Sequence, residues 1–129
     1  MNIGKTLLFV MVVAIVGLIN ACAKDKEPVI SFSKDVQPIL SANCLECHAQ
    51  GGQGQVASGL NMETYADLMK GTKFGPVIKA GDSLSSTLIV LIEGRADPSI
   101  NMPHGDRAPL SKEQISTLKK WINQGAANN

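Results

Sequence analysis

Five consecutive residues, Cys44-Leu45-Glu46-Cys47-His48, constrain this chain more than any other stretch. Two thiols separated by two residues, with an imidazole directly after the second, form the attachment signature for a c-type haem. Each thiol can add across one vinyl group of the porphyrin to make a thioether, and the adjacent imidazole then lies under the iron as its proximal ligand. Attachment and ligation are thus coded together. The bare pattern also admits a small disulfide or half of a zinc site, so the other residues must decide.

The length of 129 residues leaves room for one small domain. Hydrophobic residues at 44% and charged residues at 18% are ordinary for a globular chain, which argues against disorder. Aromatics are scarce at 4%. Past the N-terminal segment only Phe32, Tyr65, Phe74 and Trp121 remain as aromatic core material, thin for a self-sufficient core. A buried porphyrin would make up the deficit. The formal net charge is +1, and removal of Lys5 with a cleaved N-terminus leaves the chain neutral. That balance argues against nucleic acid as a partner and gives no sign of long-range steering.

The N-terminus reads as an export signal. Lys5 precedes an unbroken apolar run from Leu7 to Ile19, short of the roughly 20 residues a membrane-spanning helix needs. The run ends in Leu18-Ile19-Asn20-Ala21-Cys22, which resembles the bacterial lipoprotein signal, with a small residue before a cysteine that is lipidated and becomes the new N-terminus. Asn20 stands where a small or apolar residue is usual, and a simple uncleaved anchor is the alternative. Acyl chains on Cys22 would hold the protein at a bilayer, each buried methylene adding about 0.8 kcal/mol. Ala23 and Lys24 follow Cys22 and, by resemblance to lipoprotein sorting, permit an outer-membrane destination.

The cysteine count then closes: three cysteines are one lipid site plus two haem thioethers. A Cys44 to Cys47 disulfide would leave Cys22 as an odd thiol in an exported protein. A structural zinc site needs four ligands, and the chain offers only Cys44, Cys47, His48 and a distant His104. Covalent haem attachment takes place on the outer side of the bacterial inner membrane, so the haem reading requires export, and the signal supplies it.

Residues 22–31 suit a lipidated N-terminus and short tether. A helix of about ten residues is expected from Ser31 or Ser33, with Phe32, Val36, Ile39 and Leu40 on one face and Pro38 bending it, before the haem motif forms a turn. Gly51 to Gln55 reads as a flexible polar loop without side chains to build a site. Further helices are expected over Met62 to Lys70, stopped by Gly71, and over Ser83 to Glu93, with Leu84, Leu88, Leu91 and Ile92 buried. The second ring N–H of His48 needs an acceptor; a backbone carbonyl near Pro76 is one candidate, although Gly75-Pro76 is more simply a turn. Pro98, Pro103 and Pro109 stiffen the long loop from Gly94 to Leu110. The last helix opens at Ser111, whose spacing to Gln114 matches a capping box, and turns Ile115, Leu118, Trp121 and Ile122 inward before Gly125.

His48 leaves one axial position on the iron to fill. Methionine there closes the iron to exogenous ligands and raises its potential, which suits electron transfer. The candidates are Met62, Met69, Met102, His104 and an open position. Met62 and Met69 lie at helical spacing and read as core packing. Met102 is better placed, because Pro103 biases it toward an extended backbone and a stiff loop helps a weak thioether compete with water.

From Phe32 to Ala126 the chain resembles the small monohaem class I cytochrome c domains, and most closely the planctomycete-type cytochrome c domain. The stretches that carry the resemblance are Val36-Gln37-Pro38-Ile39-Leu40, Cys44 to His48, Ala80-Gly81-Asp82 leading to Ser86, Met102-Pro103, and Trp121-Ile122 with Gly125-Ala126. The resemblance implies Cys44 and Cys47 as attachment sites, His48 as proximal ligand and Met102 as distal ligand. It also implies that the first and last helices pack together across one end of the haem, with Trp121 near the junction. His104 stands where a second proline is more usual, which places a competing nitrogen two residues from the sulfur.

These readings converge on an all-α fold, a small cytochrome c-like helical domain wrapped around one covalently attached haem c with its iron. The expected divisions are a signal peptide over 1–21, the lipidated N-terminus and tether over 22–31, the cytochrome c domain over 32–126 and a tail over 127–129. The expected role is electron transfer with no substrate turned over, from a membrane tether facing the periplasm or the outside. Redox proteins would be the partners, through small transient interfaces, with the membrane reached through the lipid anchor and no nucleic acid or small-molecule substrate involved. The alternatives are a haem sensor or enzyme with a labile or absent sixth ligand, and a haem subunit of a larger redox complex. Arg95, Arg107, Tyr65 and Trp121 are all candidates for the haem propionates.

Overall fold

In the computed structural model, which describes residues 27–129, the first helical turn opens at Ser31. The Ser31 hydroxyl accepts from the Lys34 amide at 3.3 Å, and the Asp35 carboxylate accepts from the Ser31 amide at 2.7 Å, so two donors that a helix start leaves free are satisfied. The turn is π-helical over Phe32–Val36 and runs into helix α1, Gln37–Asn43. Pro38 accounts for the wide turn. It falls in the first turn of α1, where its missing donor is not needed, and widening ahead of a proline relieves the clash of its ring with the carbonyl four residues back. Phe32, Val36 and Leu40 are buried and Ile39 packs beside them, the face their spacing predicts.

Beyond α1 come α2, Leu45–His48; α3, Gln53–Ser58; α4, Tyr65–Lys70; α5, Thr87–Ile92; a 3-10 turn at Pro98–Ile100; and α6, Lys112–Asn123. Among the described residues there is no strand, only an isolated bridge between Thr72 and Gly75, so the fold is all-α as expected. No helix among them is long and apolar enough to cross a membrane. The signal peptide over 1–21 and the lipidation site Cys22 lie outside the described residues.

Helix α6 follows its sequence closely. The Ser111 hydroxyl accepts from the Gln114 amide at 3.2 Å and the Gln114 side chain accepts from the Ser111 amide at 2.9 Å, which completes the capping box. Leu118, Trp121 and Ile122 are buried and Ile115 packs at their edge. At the junction with the first turn, Phe32 lies 5.5 Å from Trp121 and 5.2 Å from Tyr65, ring centre to ring centre. The Tyr65 hydroxyl donates to the Ala126 carbonyl and the Trp121 indole to the Ala127 carbonyl, each at 2.9 Å. First and last helices therefore meet with Trp121 at their contact. Hydrogen bonding extends past residues 32–126 at both ends: Asn129 Oδ1 accepts from the Phe32 amide at 2.7 Å, and Gln124 Nε2 donates to the Pro28 carbonyl at 3.0 Å.

Two helices are shorter than their periodicity predicts, each because side chains bond the backbone where the helix would have begun. Thr64 accepts from the Asp67 amide at 3.1 Å and so starts α4 at Tyr65 instead of Met62. Ahead of α5, the Asp82 carboxylate takes the Ser85 amide at 3.1 Å and the Ser85 hydroxyl at 2.5 Å. The buried Ser86 hydroxyl accepts from the Lys79 amide at 2.9 Å and donates to the Asp82 carbonyl at 2.7 Å. These bonds hold residues 79–86 in turns, and α5 begins at Thr87 and not Ser83. Leu84, expected on the buried face, is consequently 67% exposed, while Leu88, Ile89 and Ile92 are buried. Phe74 also departs from expectation. It sits in the turn closed by Thr72 and Gly75, is 84% exposed, and has the Lys73 ammonium 5.2 Å from its ring centre, so the aromatic core is Phe32, Tyr65 and Trp121.

Candidate functional site

Where the sequence points to a turn, Cys44 to His48 is helical. Cys44 ends α1 by donating its amide to the Leu40 carbonyl at 2.8 Å, and starts α2 by accepting from the Cys47 and His48 amides at 3.1 and 2.9 Å. On a helical turn, residues three and four apart share a face. The two intervening residues in the motif thus place Cys44, Cys47 and His48 together, and all three line one cavity. No disulfide joins the two cysteines. Among the described residues no three His, Cys, Asp or Glu side chains group as a metal site, so the zinc reading lacks its ligand set.

His48 is buried and held from two directions. The returning segment after α3 brings the Leu60 carbonyl to 3.2 Å from His48 Nδ1, while the Met62 amide donates to the His48 carbonyl at 2.8 Å. A carbonyl can only accept, so Nδ1 donates to it, which in the neutral imidazole leaves the lone pair on Nε2. The acceptor is therefore Leu60 and not a carbonyl near Pro76; Gly75-Pro76 is a turn, with the Gly75 amide donating to Thr72 at 3.1 Å.

Of the glycine-rich stretch after His48, Gly51 and Gly52 form the expected loop while Gln53 to Gln55 open α3, and the missing side chains are its contribution. A Cβ on Gly54 would lie 2.9 Å from His48 Cε1 and 3.0 Å from Nε2, and one on Gly52 would lie 2.5 Å from the Cys47 carbonyl oxygen. Only glycine lets this backbone approach the imidazole so closely.

The cavity measures about 660 Å³, within the range of roughly 300–1,000 Å³ that holds a cofactor-sized group. Leu60, Met62, Val77, Leu88, Ile92 and Leu110 give it a mainly apolar wall. Phe74 and Ile100 also line it and are 84% and 52% exposed, so the cavity reaches solvent beside them. Met102 and His104 both line it as well; Met102 is half-buried, and its amide donates to the Leu91 carbonyl of α5 at 3.2 Å. Of the two methionines assigned to core packing, Met69 packs against the core away from the cavity, whereas Met62 is buried and on its wall.

Charged groups at the site are few. Burial first, and the neighbouring Cys47 second, push the Cys44 thiol up to about 11 from its ordinary 9.0, so it is neutral at physiological pH. Of the four side chains weighed for the propionates, only Arg107 lines the cavity. Tyr65 and Trp121 are committed to carbonyls of the C-terminal segment, and Arg95 to Glu93 and the Leu84 carbonyl. Arg107 is ion-paired with Glu46 of α2, and that guanidinium holds the Glu46 carboxyl below its usual range.

The residues present fit a covalently held haem: two thiols and an imidazole on one helical turn, a free Nε2, an apolar cavity of matching size, and a glycine cradle against the imidazole. The all-α fold and these side chains are what a small c-type cytochrome domain would require, with a covalent haem c to supply the iron. Residues 44–106, from the first thiol of the motif to just past Met102, match the family model described as Planctomycete cytochrome C. No curated protein and no solved structure matches the chain.

Proposed function

We propose that the chain is a monohaem electron-transfer protein in which Cys44 and Cys47 carry the thioethers, His48 is the proximal ligand and Met102 the sixth. When bound, the haem supplies a one-electron couple between ferric and ferrous iron. The residues do the rest. Leu60 and Gly54 fix the His48 ring, the apolar wall excludes water, and the loop after α5 presents a thioether. The observation that carries the reading is the placement of Cys44, Cys47, His48 and Met102 on one largely apolar cavity that reaches the surface. An opening of this kind suits brief contact with redox partner proteins, with no substrate turned over.

The segment Leu18 to Cys22 supports export and a lipid anchor on Cys22, which would tether the carrier on the periplasmic or outer face of a bacterial membrane. A second reading, a ligand-binding sensor or enzyme with a labile sixth ligand, is favoured by His104 on the same cavity wall.

A pyridine haemochrome assay on the exported holoprotein, with its optical spectrum, separates these readings. One haem per chain and the weak methionine-to-iron charge-transfer band of the oxidised form are expected. A colourless product would overturn the assignment, and a haem-loaded protein without that band would favour the sensor.

A further inference from the structure

The segment that follows Met102 is held by very little. From Pro103 to Pro109 the backbone makes no hydrogen bond to any other element among the described residues, and the next anchored residue is Leu110, which is buried. Met102 itself has one amide bond, to Leu91. Among the described residues, the single polar tie of this stretch to another element is the ion pair of Arg107 with Glu46. Glu46 is one of the two residues between the motif cysteines, a position that attachment leaves free to vary, and Arg107 lies on the cavity wall five residues past Met102. The pair therefore joins the helix that carries the attachment residues to the loop that carries the sixth ligand.

We propose that Glu46 and Arg107 are positioning residues that fasten the Met102 loop to the attachment helix and so restrict access of external ligands to the iron. The proposal rests on the reading of Met102 as sixth ligand. A thioether is a weak ligand, and its occupancy depends on how firmly its backbone is held. The seven residues from Pro103 to Pro109 form a short bridge with a proline at each end, and a tie at Arg107 within it limits outward movement. Both partners reach solvent, so the tie is weak and sensitive to salt.

The test titrates the oxidised holoprotein with imidazole, which must displace the sixth ligand to bind. E46Q and R107Q are each expected to raise imidazole affinity about two- to fivefold, the range a solvent-accessible ion pair can supply. The charge exchange E46R/R107E is expected to return it to within about twofold of wild type. Raising salt from roughly 20 mM to roughly 500 mM should weaken the wild-type restriction and leave both single variants unmoved. D106N removes a neighbouring charge that belongs to no ion pair among the described residues and is expected to change nothing. Backbone nitrogen-15 order parameters of residues 104–108, measured on the reduced holoprotein, should fall in E46Q and R107Q and recover in the exchanged pair. Unchanged affinity and order parameters in both single variants, or a charge exchange that behaves as the sum of two losses, would overturn the proposal. Absence of the methionine charge-transfer band in wild type would instead remove the Met102 reading, and the order parameters would still decide whether the pair fastens the loop.

Discussion

The backbone of Gly54 lies so close to the His48 imidazole that a Cβ there would stand 2.9 Å from Cε1 and 3.0 Å from Nε2. Glycine in a helix interior costs about 1 kcal/mol relative to alanine, and Gly54, in the first turn of the short helix α3, carries part of that cost. Propensity and packing thus make opposite demands at this residue, and the approach to the histidine decides it.

Gly54→Ala distinguishes the two effects. On propensity alone it would stabilise the protein; with the clash it should destabilise the holoprotein by about 1–3 kcal/mol, the usual cost of overpacking. It should also rotate the imidazole, read as changed g-values in the electron paramagnetic resonance spectrum of the ferric form. A more stable variant with an unchanged spectrum would show that the ring does not rest on this backbone.

Met102→Ala should lower the reduction potential and open the iron to carbon monoxide, since the sixth position loses a ligand that favours the ferrous state. Potentiometry and a carbon monoxide difference spectrum check this. Retention of the wild-type potential together with no ligand binding would transfer the role to His104 or Met62, both on the same wall.

Trp121 is 1% exposed and touches Phe32, which lies against Tyr65. Trp121→Ala should cost about 3–5 kcal/mol in guanidinium unfolding, because it empties the contact between the first and last helices. Tyr65→Phe keeps the ring and removes only the hydroxyl's bond to the Ala126 carbonyl, so a loss near 1 kcal/mol is expected. Equal losses would mean that the aromatic cluster is not what joins the helices.

Asp82 supplies a pH dependence. The Ser85 hydroxyl, then Lys79, then the Ser85 amide hold its carboxyl below the ordinary 3.8. A carboxyl depressed in the folded state stabilises at pH above its ordinary value, and that contribution is lost as pH falls below it. The melting temperature of the holoprotein should therefore fall below about pH 4. Asp82→Asn should start lower at pH 7 and lose less on acidification. Parallel curves for the two proteins would exclude Asp82 as a source of the acid sensitivity.

How much was legible beforehand follows the range of each interaction. Cys44, Cys47 and His48 could be assigned together because one helical turn brings residues three and four apart onto a face, although the sequence suggested a turn there instead of a helix. Ser111 and Gln114 announce α6 because a capping box closes within its own four residues. The start of α5 is not legible in the same way, since Ser83 and Ser86 both precede the apolar run; the Lys79-Ser86 bond across the turn decides which serine begins the helix.

The sequence by itself determined which groups are available for chemistry: two thiols and an imidazole within five residues and a thioether further on, in a chain poor in aromatic core residues. Tertiary structure alone chose Leu60 as the acceptor for His48, across 12 residues, turned the glycine-rich stretch into the surface against which the imidazole rests, and paired Glu46 with Arg107 from the far side of the chain. The physical reason is that a side chain's type and its local spacing are written in the chain. Which carbonyl, which glycine and which countercharge arrive beside it depends on how separated segments close around a common core.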